Sequence, residues 1–383
     1  MKYFVVAGEA SGDLHASGLI EEIRRADKEA QFAFIGGDKM AAAAGCEPLI
    51  HYTEMNVMGF SEVLRNARRL LSQLRKAKRM ITDFRPDALV LVDYPGFNLK
   101  LARHAKRHGI ATHYFISPKI WAWKEYRIRQ IRRDVDYMYS ILPFEVDYYS
   151  RRHGYHVDYV GNPTVAEMDH VLTRIPPVEH FLSRLGIDDR RGIIALLPGS
   201  RRGEVRNNLP LMVEAAKRFP DFQYIVGAAP SIPLSFYREV AQDPGLKVAF
   251  GASNVLVKES CAALVTSGTA TLETALLGVP QVVCYRANGS KLSYKIMERL
   301  LKVRYVSLPN LVADKAVVPE LLVHLCTADN IVRELEPLLY ASPRRDEMLA
   351  GYRMIRKRLG TECAVAGAAR LIVSRCAEAA GKA

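Results

Sequence analysis

The run Val265-Thr-Ser-Gly-Thr-Ala-Thr-Leu-Glu-Thr-Ala-Leu-Leu-Gly-Val-Pro280 holds the residue types and spacing that point most clearly to chemistry. Ser267-Gly268-Thr269 is a turn of small residues. A helical pattern follows, with Leu272, Ala275, Leu276 and Val279 on one side. A strand, a small-residue turn and a helix bring free backbone N–H groups and a helix dipole to one point, which makes an anion site. Glu273 falls about one turn into that helix. There a carboxylate can accept hydrogen bonds from both hydroxyls of a ribose whose phosphates sit at the helix start. An ordinary strand–helix unit with an exposed glutamate shows the same spacing, so this reading needs other support.

Five further places carry candidate groups. Asp87–Val92 is an apolar run ending in Asp93-Tyr-Pro-Gly-Phe-Asn98. Ligands of open parallel sheets gather at strand carboxyl ends, so Asp93 stands where a general base is useful. Pro95 and Gly96 are expected to turn the chain and leave Asp93 facing the ligand; the competing role is a cap for a helix starting near Phe97. Pro198-Gly-Ser-Arg-Arg-Gly-Glu-Val205 is not a nucleophile elbow, and Gly-Ser-Arg at a helix start suits phosphate. Gly8-Glu-Ala-Ser-Gly-Asp-Leu-His15 is a small-residue turn without G-x-G-x-x-G or a P-loop lysine, and His15 is read as a capping or packing residue. Trp121 and Trp123, beside Lys124, Arg127 and Arg129, can wall an acceptor or simply pack. Asp134-Val-Asp136 has metal–sugar-nucleotide spacing, yet it opens a strand instead of ending one and is read as structural.

The elements that position these groups alternate strand and helix. Strands read at Lys2–Gly8, Gln31–Ile35, Asp87–Val92, Thr112–Ile116, Tyr137–Leu142 and Val157–Val160. A second series reads at Ile193–Leu197, Phe222–Val226, Lys247–Phe250, Ala262–Val265 and Gln281–Tyr285. Residues 164–192, with Pro176-Pro177 and a charged end, read as a linker, and the chain from Pro319 onward reads as helical. The expectation is α/β: two Rossmann-like domains facing a cleft, residues 1–168 and 180–354.

Composition narrows the class. The 383 residues are 49% hydrophobic and 25% charged, ordinary for a globular protein. No apolar run reaches the ~20 residues of a membrane span. Met1-Lys-Tyr-Phe-Val-Val leads directly into a strand, so no signal peptide is expected. Six scattered cysteines without C-x-x-C fit reduced thiols in a cytoplasmic protein and no zinc site. A net charge of +13 suggests an anionic partner. Asn56–Thr82 interleaves Leu, Val and Met with seven Lys/Arg, which fits either an anionic bilayer or a solvated helix face.

Several motifs together resemble one family, the lipid-A-disaccharide synthases. They are Ala7-Gly-Glu-Ala-Ser-Gly-Asp13, Met58-Gly59 with Glu62-Val-Leu64, Asp93-Tyr-Pro-Gly-Phe-Asn98, Ser117-Pro with Trp121-Ala-Trp123, Leu142-Pro-Phe-Glu145, Leu197-Pro-Gly-Ser-Arg201, Ser267-Gly-Thr with Leu272-Glu273, and Tyr305-Val-Ser-Leu-Pro-Asn310. Gly96 departs from the pattern, since many members carry an acid there. The resemblance implies a GT-B glycosyltransferase of family 19 without cofactor or bound metal. Its donor would be UDP-2,3-diacylglucosamine and its acceptor 2,3-diacylglucosamine 1-phosphate (lipid X). It implies a catalytic Asp93 and substrate-binding Glu9, Ser11, Met58, Ser200, Arg201, Ser267, Gly268, Thr269, Glu273, Arg286 and Asn310, with Asn310 near the diphosphate. It also implies residues 355–383 returning to the N-terminal domain, and a peripheral place on the anionic inner face of the cytoplasmic membrane; a homodimer stays open. A UDP-N-acetylglucosamine 2-epimerase on the same fold would share the phosphate turns but has no need of the basic stretch or the Trp-x-Trp loop. A nucleic-acid binder would explain the charge, but no such motif is present.

Overall fold

The computed structural model describes residues 1–55, 63–187, 189–286 and 304–381, with side chains described from residue 69 onward in the helix that begins at Val63. Contacts divide the chain into two units, residues 1–163 with 361–383 and residues 164–360.

The first unit is a seven-stranded parallel sheet of β1 (Lys2–Ala7), β2 (Gln31–Gly36), β3 (Ile50–His51), β4 (Ala88–Val92), β5 (Ala111–Phe115), β6 (Tyr137–Ser140) and β7 (Asp158–Tyr159). The order is β3-β2-β1-β4-β5-β6-β7, so the winding reverses between β1 and β4. Every residue of β4 is buried. A strand covered on both faces has no polar side to show, which is why Ala88–Val92 reads as an unbroken apolar run. One face packs Tyr3, Val5 and Ala7 against Leu19, Ile20 and Ile23 of α1 (Ala10–Ala26). On the other, Phe4, Val6, Leu89 and Leu91 meet Leu74, Ala77 and Ile81 of α3 (Val63–Phe84) and Leu101 of α4 (Pro95–Arg107). Between them in sequence lies α2 (Asp38–Ala44), and after β5 come α5 (Ile128–Asp134) and α6 (Pro143–His153).

The second unit opens with two helices, α7 (Pro163–Leu172) and α8 (Val178–Arg184), where a linker was expected. The pair of prolines does not interrupt a helix: Pro177 is the N-cap of α8, and Val165, Met168, Phe181 and Leu182 are buried. The six parallel strands are β8 (Gly192–Leu197), β9 (Phe222–Ala228), β10 (Val248–Phe250), β11 (Ala262–Thr266), β12 (Gln281–Tyr285) and β13 (Glu320–Leu322). Their order is β10-β9-β8-β11-β12-β13, and the reversal lies between β8 and β11. The strand β13 falls in a stretch expected to be helical; three residues are too few to display alternation, and its pairing with β12 defines it. The intervening helices are α9 (Arg202–Ala216), α10 (Leu234–Ala241), α11 (Ser253–Lys258), α12 (Thr269–Leu276), α13 (Leu308–Ala313), α14 (Ala328–Leu339) and α15 (Pro343–Leu359). The chain then contributes α16 (Ala364–Ala380) to the first unit, where Ala368, Ala369 and Ile372 join the α1 face of the core. Among the described residues no helix is long and apolar enough to cross a membrane.

Candidate active site

Open α/β sheets bind ligands outside the strand carboxyl ends, where the winding reverses. In the second unit that place holds a pocket of about 530 Å³ between the turns after β8 and β11. Ser200, Arg201, Ser267, Gly268, Thr269 and Glu273 all line it.

The turn after β11 is an open anion site. Gly268 is the N-cap of α12 at φ 152° and ψ −163°, a conformation that essentially only glycine adopts, and no side chain caps the helix. Its first N–H groups therefore face the pocket with the helix dipole behind them. One turn in, Glu273 has its pKa raised by burial and by Glu167 of α7. A half-buried carboxylate of this kind gains from hydroxyl donors. The Thr266 hydroxyl is buried in the same wall without a hydrogen-bond partner among the described residues.

The turn after β8 is different. Glu204 accepts the N–H groups of Ser200 at 3.0 Å and Arg201 at 3.3 Å, and it meets the Arg201 guanidinium at 3.4 Å. Glu204, at the third position of α9, thus accepts the N-cap N–H in one half of a capping box, and Gly199 at φ 114° is needed because a Cβ there would overlap Glu204. The Arg201 side chain stays 85% exposed and free to swing to a ligand. Glu204 and Thr266 were missed from sequence. The far wall was missed as well, with Gly227 at the end of β9 and Ser253 and Asn254 opening α11.

Arg286 and Asn310 do not line this pocket. Arg286 is exposed, and its backbone N–H donates to Asn208 Oδ1 at 2.8 Å. Asn310 is 1% exposed. Its Oδ1 accepts from the N–H groups of Val317 and Val318, and its Nδ2 donates to the Val318 carbonyl and to Glu320. All four bonding positions of the amide are occupied within the 310–320 loop.

In the first unit the reversal lies between β1 and β4, and Glu9 and Asp93 follow those two strands. Asp93 and Tyr94 are both left-handed, at φ 44° and 46°. They turn the chain, in place of the expected Pro95-Gly96, and α4 begins at Pro95 instead of near Phe97. The turn is held by its own backbone: Asp93 N–H donates to the Phe115 carbonyl, and the Asp93 carbonyl accepts from Asn98 Nδ2 at 2.7 Å and the Tyr114 hydroxyl at 2.5 Å. Gly8 is required beside it, because a Cβ would overlap the Tyr94 ring. Asp93 makes no cap bond to α4, which has none from a side chain. Its pKa is raised, first by burial and then by Glu9, while Lys119 pulls it down. Glu9 accepts from the Ser11 hydroxyl at 3.0 Å. Asp13, in the same turn, is a scaffold residue that caps α2 by accepting from Gly37, Lys39 and Met40. Met58 lies outside the described residues.

Asp134 is bound by Arg133, and Asp136 by Lys106 and Thr112, so both carboxylates have structural partners. Among the described residues no three His, Cys, Asp or Glu gather as a metal site.

Solved structures share this architecture. UDP-GlcNAc 2-epimerase from Neisseria meningitidis bound to UDP-GlcNAc matches with a TM-score of 0.64 at 14% identity, over 99% of this chain and 100% of that one. CalG4, the calicheamicin glycosyltransferase, matches with a TM-score of 0.58 at 14% identity, over 97% of each chain. The fold class is thus two parallel-sheet α/β domains of the kind found in GT-B glycosyltransferases and UDP-GlcNAc 2-epimerases. The sequence narrows this class. The lipid-A-disaccharide synthetase family model matches residues 3–373. Lipid-A-disaccharide synthase of Geobacter sulfurreducens is 38% identical over 366 residues, 94% of this chain and 93% of its own. That of Myxococcus xanthus is 40% identical over 378 residues, 97% of each. The chain belongs to the lipid-A-disaccharide synthase family and is a glycosyltransferase of lipid A biosynthesis.

Proposed function

We propose that the enzyme joins UDP-2,3-diacylglucosamine to 2,3-diacylglucosamine 1-phosphate, giving the β-1,6-linked disaccharide 1-phosphate and UDP. The observation that carries this reading is the uncapped start of α12 with Glu273 one turn inside a pocket of nucleotide size. The diphosphate sits at Ser267-Gly268-Thr269, the ribose hydroxyls on Glu273, and Arg201 swings to the leaving phosphate. Asp93 takes the proton of the acceptor 6-hydroxyl. The oxygen then bonds to the donor's anomeric carbon as the bond to the β-phosphate oxygen breaks, and UDP leaves with the electron pair. One in-line displacement inverts the anomeric centre. The charge that grows on the β-phosphate is met by fixed N–H groups and a cation, whose attraction is strongest in the transition state.

A product assay with both diacylated substrates, run with and without a chelator, tests the reading. It expects disaccharide 1-phosphate and stoichiometric UDP. Epimerised sugar nucleotide without disaccharide would overturn it.

The membrane-facing part of the proposal narrows to charge. Leu74, Ala77 and Ile81 of α3 are buried in the unit's own core, while Arg69, Arg75, Lys76 and Arg79 are exposed. These cations are proposed to draw the enzyme to the anionic inner leaflet, so that it works as a cytoplasmic, peripheral protein. Each contributes up to about 1 kcal/mol near such a surface.

A further inference from the structure

This inference rests on the proposed acceptor and deepens it. The loop of residues 116–127 leaves β5 beside Asp93 and is fixed from beneath. The N–H of Ile116, at φ 67°, donates to the Tyr139 carbonyl at 3.0 Å. The Ser117 and Ser140 hydroxyls donate to Glu145, and so does Trp121 Nε1 at 2.7 Å. Glu145 is only 1% exposed, and burial pushes its pKa up. The Tyr149 hydroxyl donates to the Pro118 carbonyl at 2.6 Å, and the Trp121 ring packs edge-on against Phe144.

One tryptophan thus anchors the loop, and the other is presented by it: Trp123 is 58% exposed. Lys124, itself left-handed at φ 56°, places its ammonium 4.0 Å from the Trp123 ring centroid, and the Arg127 guanidinium lies 6.0 Å from it. The loop's single acid, Glu125, is directed to Arg152 at 2.6 Å and His153 at 3.4 Å. An exposed indole flanked by two cations matches a ligand with a flat apolar face and an anion on one molecule.

We propose that Trp123, Lys124 and Arg127 form the subsite for the acceptor's sugar 1-phosphate, the indole against the pyranose ring and the two cations on the anomeric phosphate. A lipid–water interface also attracts tryptophan with lysine and arginine. The ties to the base favour the small ligand. Asp93 N–H donates at 3.0 Å to the carbonyl of Phe115, the residue that precedes this loop, the neighbouring Tyr114 hydroxyl holds the Asp93 carbonyl at 2.5 Å, and Lys119 of the loop lowers the Asp93 pKa. A sugar phosphate bound here therefore lies in the neighbourhood of the group that must deprotonate it.

Steady-state kinetics of the whole enzyme in detergent micelles, with acceptor varied at saturating donor, test this. Lys124→Gln and Arg127→Gln are each expected to raise acceptor KM on the order of tenfold and leave donor KM unchanged, as for a lost charge-assisted hydrogen bond. Wild type should prefer the 1-phosphate acceptor over its dephosphorylated form, and the double variant should lose most of that preference. Trp123→Ala should raise acceptor KM and Trp123→Phe should restore it. Unchanged acceptor KM in the charge variants overturns the proposal. So does loss of phosphatidylglycerol-vesicle binding with acceptor KM intact, which would make the loop a membrane anchor. A wild-type enzyme that forms no disaccharide would overturn the catalytic reading itself, whereas a negative result confined to the variants leaves that reading standing.

Discussion

The two units build their ligand turns by opposite means. In the second, the turns after β8 and β11 use Gly199 and Gly268 at positive φ; the β11 turn presents backbone N–H groups, and the β8 turn, its own N–H groups held by Glu204, presents Arg201. In the first, the turns after β4 and β5 put Asp93, Tyr94, Ile116 and Lys124 into left-handed conformations, and what they present is side chains. Glycine takes such angles without steric cost and lets a phosphate approach the N–H groups closely. A side chain held there costs about 1–3 kcal/mol and persists only when its surroundings over-determine it. Those surroundings are visible in Asn98 and Tyr114 beneath Asp93 and in Glu145 beneath the 116–127 loop. The contrast suits the proposed roles of the two units, a diphosphate on backbone N–H groups in the second and an acceptor on side chains in the first.

Asp93→Asn is the sharpest way to break the comparison. Asparagine also tolerates the left-handed region, so the turn should survive while the base is lost. Turnover should fall on the order of 10²–10⁴-fold, with UDP affinity and melting temperature nearly unchanged. Substantial residual activity would move the base elsewhere, with Glu9 next. On the backbone side, Gly268→Ala meets open space but the wrong φ and ψ, and should weaken the donor site by about 1–3 kcal/mol. Calorimetric UDP titration measures it, and wild-type affinity would show that the turn's conformation is not what binds. Glu273→Ala is milder: donor KM should rise about tenfold with kcat held, because ribose hydroxyls do not change during the reaction. A fall in kcat at fixed KM would contradict the ribose role.

The smallest effect is on pH. Burial and Glu9 raise the pKa of Asp93, and Lys119 opposes them. A base works only when deprotonated, so activity is lost as pH falls through this raised pKa. The acid limb of kcat/KM should then lie above the ordinary aspartate range. Glu9→Gln removes a like charge and should shift that limb to lower pH; Lys119→Gln should shift it to higher pH. Profiles that move together, or not at all, would remove the coupling.

Much of the second unit could be read from residue types because glycines, apolar runs and an amphipathic helix encode it locally. The Ser267-Gly268-Thr269 turn and the position of Glu273 belong to this class. The Asp93-Tyr94 turn was hidden because Tyr rarely takes positive φ, although Asp tolerates it, and Pro95-Gly96 carries the stronger turn signal. The partners of Asn310 were hidden for another reason: its bonds run to Val317, Val318 and Glu320, pairings that only the folded loop creates. Arg201 lacks the Ser or Thr that usually flags a capping box, so Glu204 passed unnoticed. Pro176 and Pro177 read as a linker because the burial of Val165, Met168, Phe181 and Leu182 on either side is set by tertiary packing, not by local pattern.

The return of α16 has a consequence for how the molecule is made. Residues 164–360 form a contiguous unit, whereas the first unit needs Ala368, Ile372 and Cys376 to complete the core over α1. Arg375 adds an ion pair to Asp158 at 2.8 Å, and His113 is buried between Tyr139 and Cys376. During N-terminal-first synthesis the first unit therefore cannot complete its core over α1 until residue 376 has emerged, after the whole of residues 164–360. For that interval the nascent chain exposes a large apolar face, and it is the stage at which a chaperone holding apolar segments would have the most to protect.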